Sequence, residues 1–366
     1  MQCNQSDHSF AQHSRHLPMP FTCHFYKSNL PFRYPFTISG GRTKTNQPAL
    51  IVCLSDGETN GFGEAPAINY YGISVDDMLR DLAAIFPKLR ELTNSHPEEF
   101  YAEILEQLPN NSFLRCALDM AFWDYFGKRA GKPLFELFDT TWSNTLPITD
   151  YTLGLDTPEK MREKMRENPW PIYKIKLGQE NDLELLHALR QESNAPFRVD
   201  ANGGWDLRTA KQRLMELLHL NIELVEQPLK PGEEHLMPAL YEASEIRLFA
   251  DESCVSEADV APCAGRFHGI NIKLTKCGGI TPALRMIQEA RMLGLHVMMG
   301  SMNESSIGSA AIAQFLPQLD FVDMDGPLLL SEDLASGLHI QAGIVEKISR
   351  SGLGIEIECN LSFISI

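Results

Sequence analysis

The sequence predicts an α/β protein, a (β/α)8 barrel of the TIM type with an added α+β capping domain, and three observations indicate that fold. Short apolar runs with the character of strands recur between residues 148 and 324, roughly 25 residues apart. Segments with a helical period fill most of the intervals between them. A charged residue closes most of the runs, at the strand end where such barrels carry their active sites.

Length, charge and composition limit the classes of protein to be considered. With 366 residues the chain is long enough for one large domain and a smaller one. Hydrophobic residues make up 43% and charged residues 22%, which is ordinary for a soluble globular protein. The net charge of −16 argues against a nucleic-acid or anionic-membrane partner. No apolar run approaches the roughly 18 residues that a membrane-spanning helix needs.

The cysteines and the first residues bear on cellular location. Eight cysteines are scattered along the chain and none forms a CxxC pair. In a chain of this size they indicate free, mostly buried thiols and a cytoplasmic protein. Residues 1–20 are polar, rich in histidine and without the apolar core of a signal peptide, so we expect a disordered leader. A homo-oligomer is compatible with the sequence.

Residues 21–140 are expected to form the α+β capping domain. Short strands are predicted from Phe21 to about Asn69, and helices follow them. The first helix carries an apolar stripe at helical spacing, made of Met78, Leu82, Ile85 and Leu89. The second helix carries apolar residues from Leu114 to Tyr125 at helical spacing and is expected to stop near Gly127, with Gly131 and Pro133 barring its continuation.

The barrel domain is expected to span residues 141–326, and residues 327–366 are expected to pack back against the capping domain. The predicted strands are 148–154, 172–177, 197–201, 222–226, 247–251, 269–274, 295–300 and 320–324. Predicted helices between them include 157–167, 207–220 and 281–293. The interval after the fifth strand is short, so its helix should be stunted.

Three carboxylates close consecutive strands of the predicted barrel. Asp200, Glu226 and Asp251 end strands three, four and five. Any one of these acids alone is more typical of a solvated surface. Three in register at one barrel mouth instead form a hard oxygen site, which suits Mg²⁺.

Lysines flank these acids on two sides. Lys174 and Lys176 lie at i and i+2 on strand two and therefore share a face. Lys273, on strand six, faces Lys176 across the barrel, so the two could serve as bases on opposite sides of a substrate. We expect the like charge of Lys174 and partial burial to lower an ammonium pKa here. The alternatives are an exposed polar face for strand two and a salt bridge to a neighbouring carboxylate for Lys273.

The motifs around these residues resemble those of the enolase superfamily, and within it the muconate-lactonising subgroup. The matching motifs are Lys174-Ile175-Lys176, Asp200-Ala201-Asn202, Glu226-Gln227-Pro228, Ala250-Asp251-Glu252-Ser253 and Asn271-Ile272-Lys273. Three further motifs resemble the dipeptide epimerases: Asp150-Tyr151-Thr152, Gly300-Ser301-Met302 and Asp323-Met324-Asp325. The resemblance extends from about Phe21 to the last residue.

The resemblance implies a role for each residue of the site. Asp200, Glu226 and Asp251 would bind Mg²⁺, and Lys176 and Lys273 would be the two acid/base catalysts. Expected substrate-binding residues are Lys174 near the substrate carboxylate, Asp323 and Asp325 at its α-ammonium, Thr152, Ser301 and Arg42. In the resembling group an arginine of the capping loop reads a glutamate side chain, but here Gly41 holds that place and Arg42 is one position away.

The implied activity is Mg²⁺-dependent epimerisation of a dipeptide at the α-carbon of its second residue, by two-base proton transfer through an enediolate. Alternatives within the subgroup are a cycloisomerase, an o-succinylbenzoate synthase and an N-acylamino acid racemase. A non-catalytic binding protein is a further alternative, against which the intact set of acids and lysines argues. For Asp323 and Asp325, the alternative to an ammonium site is that one of them pairs with a barrel lysine.

Overall fold

The computed structural model describes residues 19–37, 43–177, 181–358 and 361–366. Most of the predicted leader and Arg42 therefore lie outside the described residues. The chain begins with three antiparallel strands: β1 (Thr22–Thr37), β2 (Thr43–Ser55) and β3 (Asn60–Pro66). The prediction of short strands is wrong for β1 and β2, which have 16 and 13 residues. The two strands pair without a break from Thr22 opposite Ser55 to Pro31 opposite Asn46. The pairing thus continues through polar positions on the exposed face, which makes both strands long.

Helices follow these strands, as predicted. They are a 3₁₀ turn at Asn69–Tyr71, then α1 (Val75–Leu89), α2 (Pro97–Gln107), α3 (Ser112–Ala130) and α4 (Leu134–Leu137). The predicted second helix is α3, which continues three residues past Gly127 to Ala130. The predicted bar at Gly131 is confirmed, because Gly131 caps the helix with φ 66°. Gly127 serves close packing instead. A Cβ there would lie 2.8 Å from the Gly352 Cα.

Eight parallel strands form the barrel and confirm the predicted fold class. They are β4 (Tyr151–Leu153), β5 (Tyr173–Lys176), β6 (Phe197–Asp200), β7 (Ile222–Glu226), β8 (Arg247–Ala250), β9 (Gly269–Ile272), β10 (His296–Gly300) and β11 (Phe321–Asp323). Each strand pairs with the next along the chain. A parallel bridge between Thr149 and Val322 brings the two edges of the sheet together.

The helices between the barrel strands, and the one after the last strand, vary in length. They are α5 (Pro158–Glu167), α6 (Asp182–Arg190), α7 (Leu207–Leu217), α8 (Pro238–Tyr241), α9 (Val260–Cys263), α10 (Leu274–Cys277), α11 (Ile280–Met292), α12 (Ser306–Ala313) and α13 (Gly326–Leu329). The helix after the fifth strand is α9, whose four residues confirm the expected stunted helix. Within the described part of the chain, no helix is both long and apolar enough to cross a membrane.

A layer of apolar side chains closes the barrel below its charged end. Leu224, Phe249, Met298 and Phe321 pack together as a separate buried cluster. Leu224, Phe249 and Phe321 precede an acid by two residues, so each points to the same face of its strand as that acid. The apolar layer therefore forms the floor on which the acids stand, as in barrels filled by successive layers of side chains.

The last strands connect the barrel with the first sheet. They are β12 (Ala335–Ser336), β13 (Ile340–Gln341), β14 (Ile344–Val345), β15 (Glu356–Ile357) and β16 (Ile364–Ser365). β12 pairs with β15, β13 pairs with β14, and β16 adds a fourth strand to the first sheet beside β1. A buried polar contact also joins helix α3 to the barrel. The Thr281 amide and hydroxyl both donate to the Asp119 carboxylate at 2.8 Å.

Candidate active site at the barrel mouth

A cavity of about 270 Å³ lies where the first sheet and its following loop cover the barrel mouth. Its barrel wall contains the two lysines that sequence predicts as bases, together with three of the predicted acids. Its opposite wall comes from the sheet β1–β3 and the chain that follows it before the barrel, here called the first domain. This wall consists of Lys44, Ile68, Tyr70 and Tyr71. Both domains are therefore needed to enclose a ligand.

Asp200, Glu226 and Asp251, here called the Asp200 triad, meet at the ends of β6, β7 and β8. Each offers a carboxylate oxygen, and the three oxygens lie within 4.8 Å of one another in a buried setting. One small cation can touch all three at that separation. Asn271 donates a hydrogen bond of 2.8 Å to Glu226 and so fixes its orientation. The donor set is purely carboxylate oxygen, which fits Mg²⁺.

The protonation of the Asp200 triad follows from its lysines. Burial acts to raise the pKa of Asp251, but Lys273 and Lys276 outweigh it and hold that pKa well below its usual range. Burial is likewise outweighed at Asp200, whose pKa is lowered by Lys176 and Lys174. These two acids are therefore ionised at neutral pH and present negative charge to a metal.

The structure brings both predicted bases into the cavity wall. The Lys176 Nζ lies 2.5 Å from the Asp200 Oδ2, and the Lys273 Nζ lies 2.8 Å from the Asp251 Oδ2. They stand on β5 and just after β9, which are separated by three strands of the barrel. The salt bridge that the sequence left open as an alternative for Lys273 is present. It does not remove Lys273 from the cavity.

The expectation that lysine pKa values are lowered here is wrong for Lys174 and Lys273. Burial acts to lower the pKa of Lys174, but the carboxylates of Asp323 and Glu226 outweigh it and raise that pKa well above its usual value. Asp251 raises the pKa of Lys273 in the same way. The reason is distance, because each ammonium touches a carboxylate more closely than it approaches a like charge.

A second group of three acids, here called the Asp323 triad, lies beside the first and consists of Asp150, Asp323 and Asp325. Their carboxylate oxygens also lie within 4.8 Å of one another. Lys174 stands between the two triads, with its Nζ 2.7 Å from both the Glu226 Oε2 and the Asp323 Oδ2. The alternative raised from the sequence, that one of the strand-eight acids pairs with a barrel lysine, therefore holds for Asp323.

The members of the Asp323 triad differ in their protonation. Burial and the charge of Asp323 raise the pKa of Asp150 well above its usual value, even though Arg198 lies 2.8 Å away. Burial is outweighed at Asp323, whose pKa is lowered by Lys174. Burial and the charge of Asp323 raise the pKa of Asp325 to about 7. Its carboxylate accepts a hydrogen bond of 2.5 Å from the Thr152 amide. Asp325 is thus the acid of this triad best able to take up a further cation.

Thr152 and Ser301 line the cavity, and so does Lys44, which sequence reasoning missed. The Ser301 amide donates to the Asp323 backbone oxygen at 2.7 Å. Asp150 belongs to the motif Asp150-Tyr151-Thr152 but has no predicted role in the site, although its spacing of two residues from Thr152 places both on one face of the strand. Lys44 is half-buried, and burial lowers its pKa. Its polar strand gave no sign that it would face a ligand.

Comparisons with known proteins agree with this geometry. The enolase C-terminal domain-like family matches residues 156–360. An L-Ala-D/L-amino acid epimerase of Flavobacterium johnsoniae is 45% identical over 329 residues, which are 90% of this chain and 97% of that protein. An L-Ala-D/L-Glu epimerase of Bacteroides thetaiotaomicron is 33% identical over 90% of this chain and 86% of its own.

A solved structure shows the same architecture. The dipeptide epimerase from Cytophaga hutchinsonii, complexed with Mg and the dipeptide D-Ala-L-Val, has a TM-score of 0.89 at 28% identity. The match covers 95% of this chain and 100% of that one. With its eight-stranded barrel, the acids at consecutive strand ends and this family match over more than half of its length, the chain belongs to the enolase superfamily.

Proposed function

We propose that this protein is a Mg²⁺-dependent dipeptide epimerase that inverts the α-carbon of the second residue. The observation that carries the proposal is the placement of Lys176 and Lys273 on opposite sides of one cavity, each beside an acid of the Asp200 triad. A substrate carbon held between two such groups can lose its proton to one and regain a proton from the other, which inverts its configuration.

The metal and the lysines divide the work. Bound Mg²⁺ would hold the substrate carboxylate, and its two positive charges would offset both the acids that raise the lysine pKa values and the charge that develops as the α-proton leaves. The lysine on the side of the departing proton must be neutral, and the one on the other side must be charged. Their roles exchange for the opposite epimer. One protein thus interconverts both configurations.

The Asp323 triad supplies a place for the free α-ammonium of a dipeptide. Asp323 already has Lys174 as a partner, so Asp325 is the acid to which we assign the ammonium. A buried carboxylate without a charged partner is costly, and a substrate cation relieves that cost. This argues against cycloisomerases and o-succinylbenzoate synthases, whose substrates carry no ammonium.

The side chain of the second residue would face the wall built by the first domain. Lys44 is the cation of that wall among the described residues, and its Nζ lies 3.2 Å from the Gln47 Oε1. We therefore assign to Lys44 the role that the family resemblance suggested for Arg42, and an acidic second residue should be tested before apolar ones.

The six described cysteines are buried free thiols, which supports a cytoplasmic location.

Proton exchange with solvent tests the proposal directly. In D₂O, the native protein with Mg²⁺ should epimerise L-Ala-L-Glu and incorporate deuterium at the second α-carbon, as followed by NMR. Lys176→Ala and Lys273→Ala should each stop epimerisation, while each leaves exchange in only one of the two epimers. Activity that survives exhaustive chelation, or native rates in both variants, would contradict the proposal.

A second measurement separates the remaining alternatives. An N-acylamino acid racemase would turn over N-acetyl amino acids and ignore a free ammonium, so turnover of those substrates without any dipeptide epimerisation would favour that reading. A non-catalytic binding protein would bind a dipeptide without exchanging its α-proton.

A further inference from the structure

A buried acid of the first domain reaches into the barrel behind the cavity. Glu64 lies on β3 and is 1% exposed. The Ser305 amide donates to both of its carboxylate oxygens, at 3.0 and 3.2 Å, and the Ser305 hydroxyl donates at 2.5 Å. The Gly308 amide donates at 3.1 Å. All of these hydrogen bonds join the Glu64 carboxylate to the start of helix α12, although 241 residues separate Glu64 from Ser305.

The chain segments next to Ser305 and next to Glu64 both line the cavity. Ser301, Met302 and Asn303 form part of the barrel wall and are separated from Ser305 by one residue, Glu304. On the other side, Ile68 of the opposite wall follows Glu64 by four residues. Glu64 itself does not line the cavity. One carboxylate therefore connects the chain segments that build two facing walls.

Capping of helix α12 does not by itself account for this acid. The Asp333 carboxylate accepts hydrogen bonds from the Ser306 amide at 3.0 Å and its hydroxyl at 2.7 Å, so the helix has another carboxylate at its N-terminus. Burying a carboxylate costs free energy that a serine cap would not. The additional effect of Glu64 would be to fix the position of the loop 301–303 relative to the first domain.

The neighbouring Glu304 carries no opposing charge to this contact. Burial and the proximity of Glu64 raise the pKa of Glu304 well above its usual value, which keeps that side chain neutral. Burial raises the pKa of Glu64 to about 7, against the hydrogen bonds from Ser305 and Gly308. Of this pair, Glu64 is therefore the one that acts as an acceptor of several hydrogen bonds.

We propose that Glu64 is a positioning residue that sets loop 301–303 against the wall of the first domain and thereby determines the affinity for the substrate. The inference rests on the proposed dipeptide epimerisation for its kinetic readout. Lys176 and Lys273 lie on other strands, so their chemistry should not depend on this contact. Loss of the contact should weaken binding of ground state and transition state alike, which raises KM and leaves kcat nearly unchanged.

The test is made at pH 8, where Glu64 is mostly ionised, and compares Glu64→Gln with Asp333→Asn, a matched loss of charge at the same helix end. We expect Glu64→Gln to raise KM for the dipeptide about tenfold, as for loss of a charged hydrogen bond, with kcat within twofold. Asp333→Asn should leave KM within twofold. Amide hydrogen exchange should accelerate at residues 301–308 in Glu64→Gln and not over residues 301–303 in Asp333→Asn.

The outcomes divide clearly. An unchanged KM in Glu64→Gln, or an equal rise in both variants, would overturn the positioning role and leave ordinary helix capping. If the native protein epimerises no dipeptide, the proposed function fails on its own. The amide exchange of residues 301–303 then decides the inference about Glu64, with unaltered exchange in Glu64→Gln counting against it.

Discussion

The Asp200 triad and the Asp323 triad each consist of three buried carboxylates whose oxygens lie within 4.8 Å of one another, yet they differ in charge. Two acids of the Asp200 triad have lowered pKa values, because lysines contact them from several sides. Burial and the charge of Asp200 raise the pKa of the third acid, Glu226, to about 7. In the Asp323 triad only Asp323 has a lowered pKa, and both of its neighbours have raised values. The number of cations within reach, and not the number of acids, decides how much negative charge each group holds.

This difference predicts the ligand of each triad. The more highly charged Asp200 triad suits a divalent ion, whereas the Asp323 triad holds one paired carboxylate and one carboxyl that titrates near neutrality, which suits a single ammonium. Lys174 lies between the two groups and contacts a carboxylate of each. A cluster of three carboxylates is therefore not in itself evidence of a metal.

Loss of a charge from the Asp200 triad should have the largest effect. Asp251→Asn removes a proposed metal ligand and leaves Lys273 and Lys276 without their common acid, so we expect Mg²⁺ binding to weaken strongly and kcat/KM to fall by about a thousandfold or more. Calorimetric titration with Mg²⁺ measures the first effect. Asp325→Asn is the control, since it should leave Mg²⁺ affinity nearly unchanged. Equal loss of Mg²⁺ binding in both variants would mean that the two triads share the metal.

Asp325→Asn should instead raise the KM for a dipeptide, by about a hundredfold, because the substrate ammonium loses its charged partner at a buried site. An N-acetylated dipeptide lacks that ammonium and should be turned over poorly by the native protein. The variant should discriminate far less between the free and the acetylated substrate, and steady-state kinetics on all four combinations measure the coupling. Independent, additive effects of the two changes would show that Asp325 does not bind the ammonium.

Lys44→Met should change selectivity by about tenfold, since a partly exposed charge pair contributes on the order of 1 kcal/mol. We expect kcat/KM for L-Ala-L-Glu to fall and that for L-Ala-L-Val to stay the same or rise. Competition between the two dipeptides in one NMR experiment measures the ratio. A parallel fall for both substrates would show that Lys44 supports the wall without reading the side chain.

The smallest expected effect is a pH dependence of KM. The pKa of Asp325 is raised to about 7, so this carboxyl becomes neutral as the pH falls through that value and its attraction for the ammonium is lost. KM should therefore rise several-fold between pH 8 and pH 6, and Asp325→Asn should flatten that part of the profile. A profile that keeps its slope in the variant would assign the dependence to another group.

The sequence predicts those parts of the site that depend on strand ends. Asp200, Glu226, Asp251 and Lys273 follow apolar runs at regular intervals, and barrel geometry then brings them together. Lys44 could not be found in this way, because its polar strand resembles an exposed one until the first domain covers the barrel.

Long-range contacts account for most of what the sequence does not predict. Glu64 has its hydrogen-bond partners 241 residues away. Gly127 has no room for a side chain because the distant Gly352 packs against it. The protonation of the Asp323 triad depends on Lys174, which reaches it from another strand of the barrel. Local patterns contain none of this information.

The pairing of β16 with β1 has a consequence for the order in which the protein is made. Each barrel strand after β4 pairs with the strand synthesised just before it, so the barrel can assemble as the chain emerges. By contrast, His24 and Ser365 are 341 positions apart when their side chains meet at 2.9 Å. Among the described strands, β16 is the one that covers this edge of β1, and it is translated after the whole barrel. An uncovered strand edge invites association with other chains. The domain made first is thus the last to be completed.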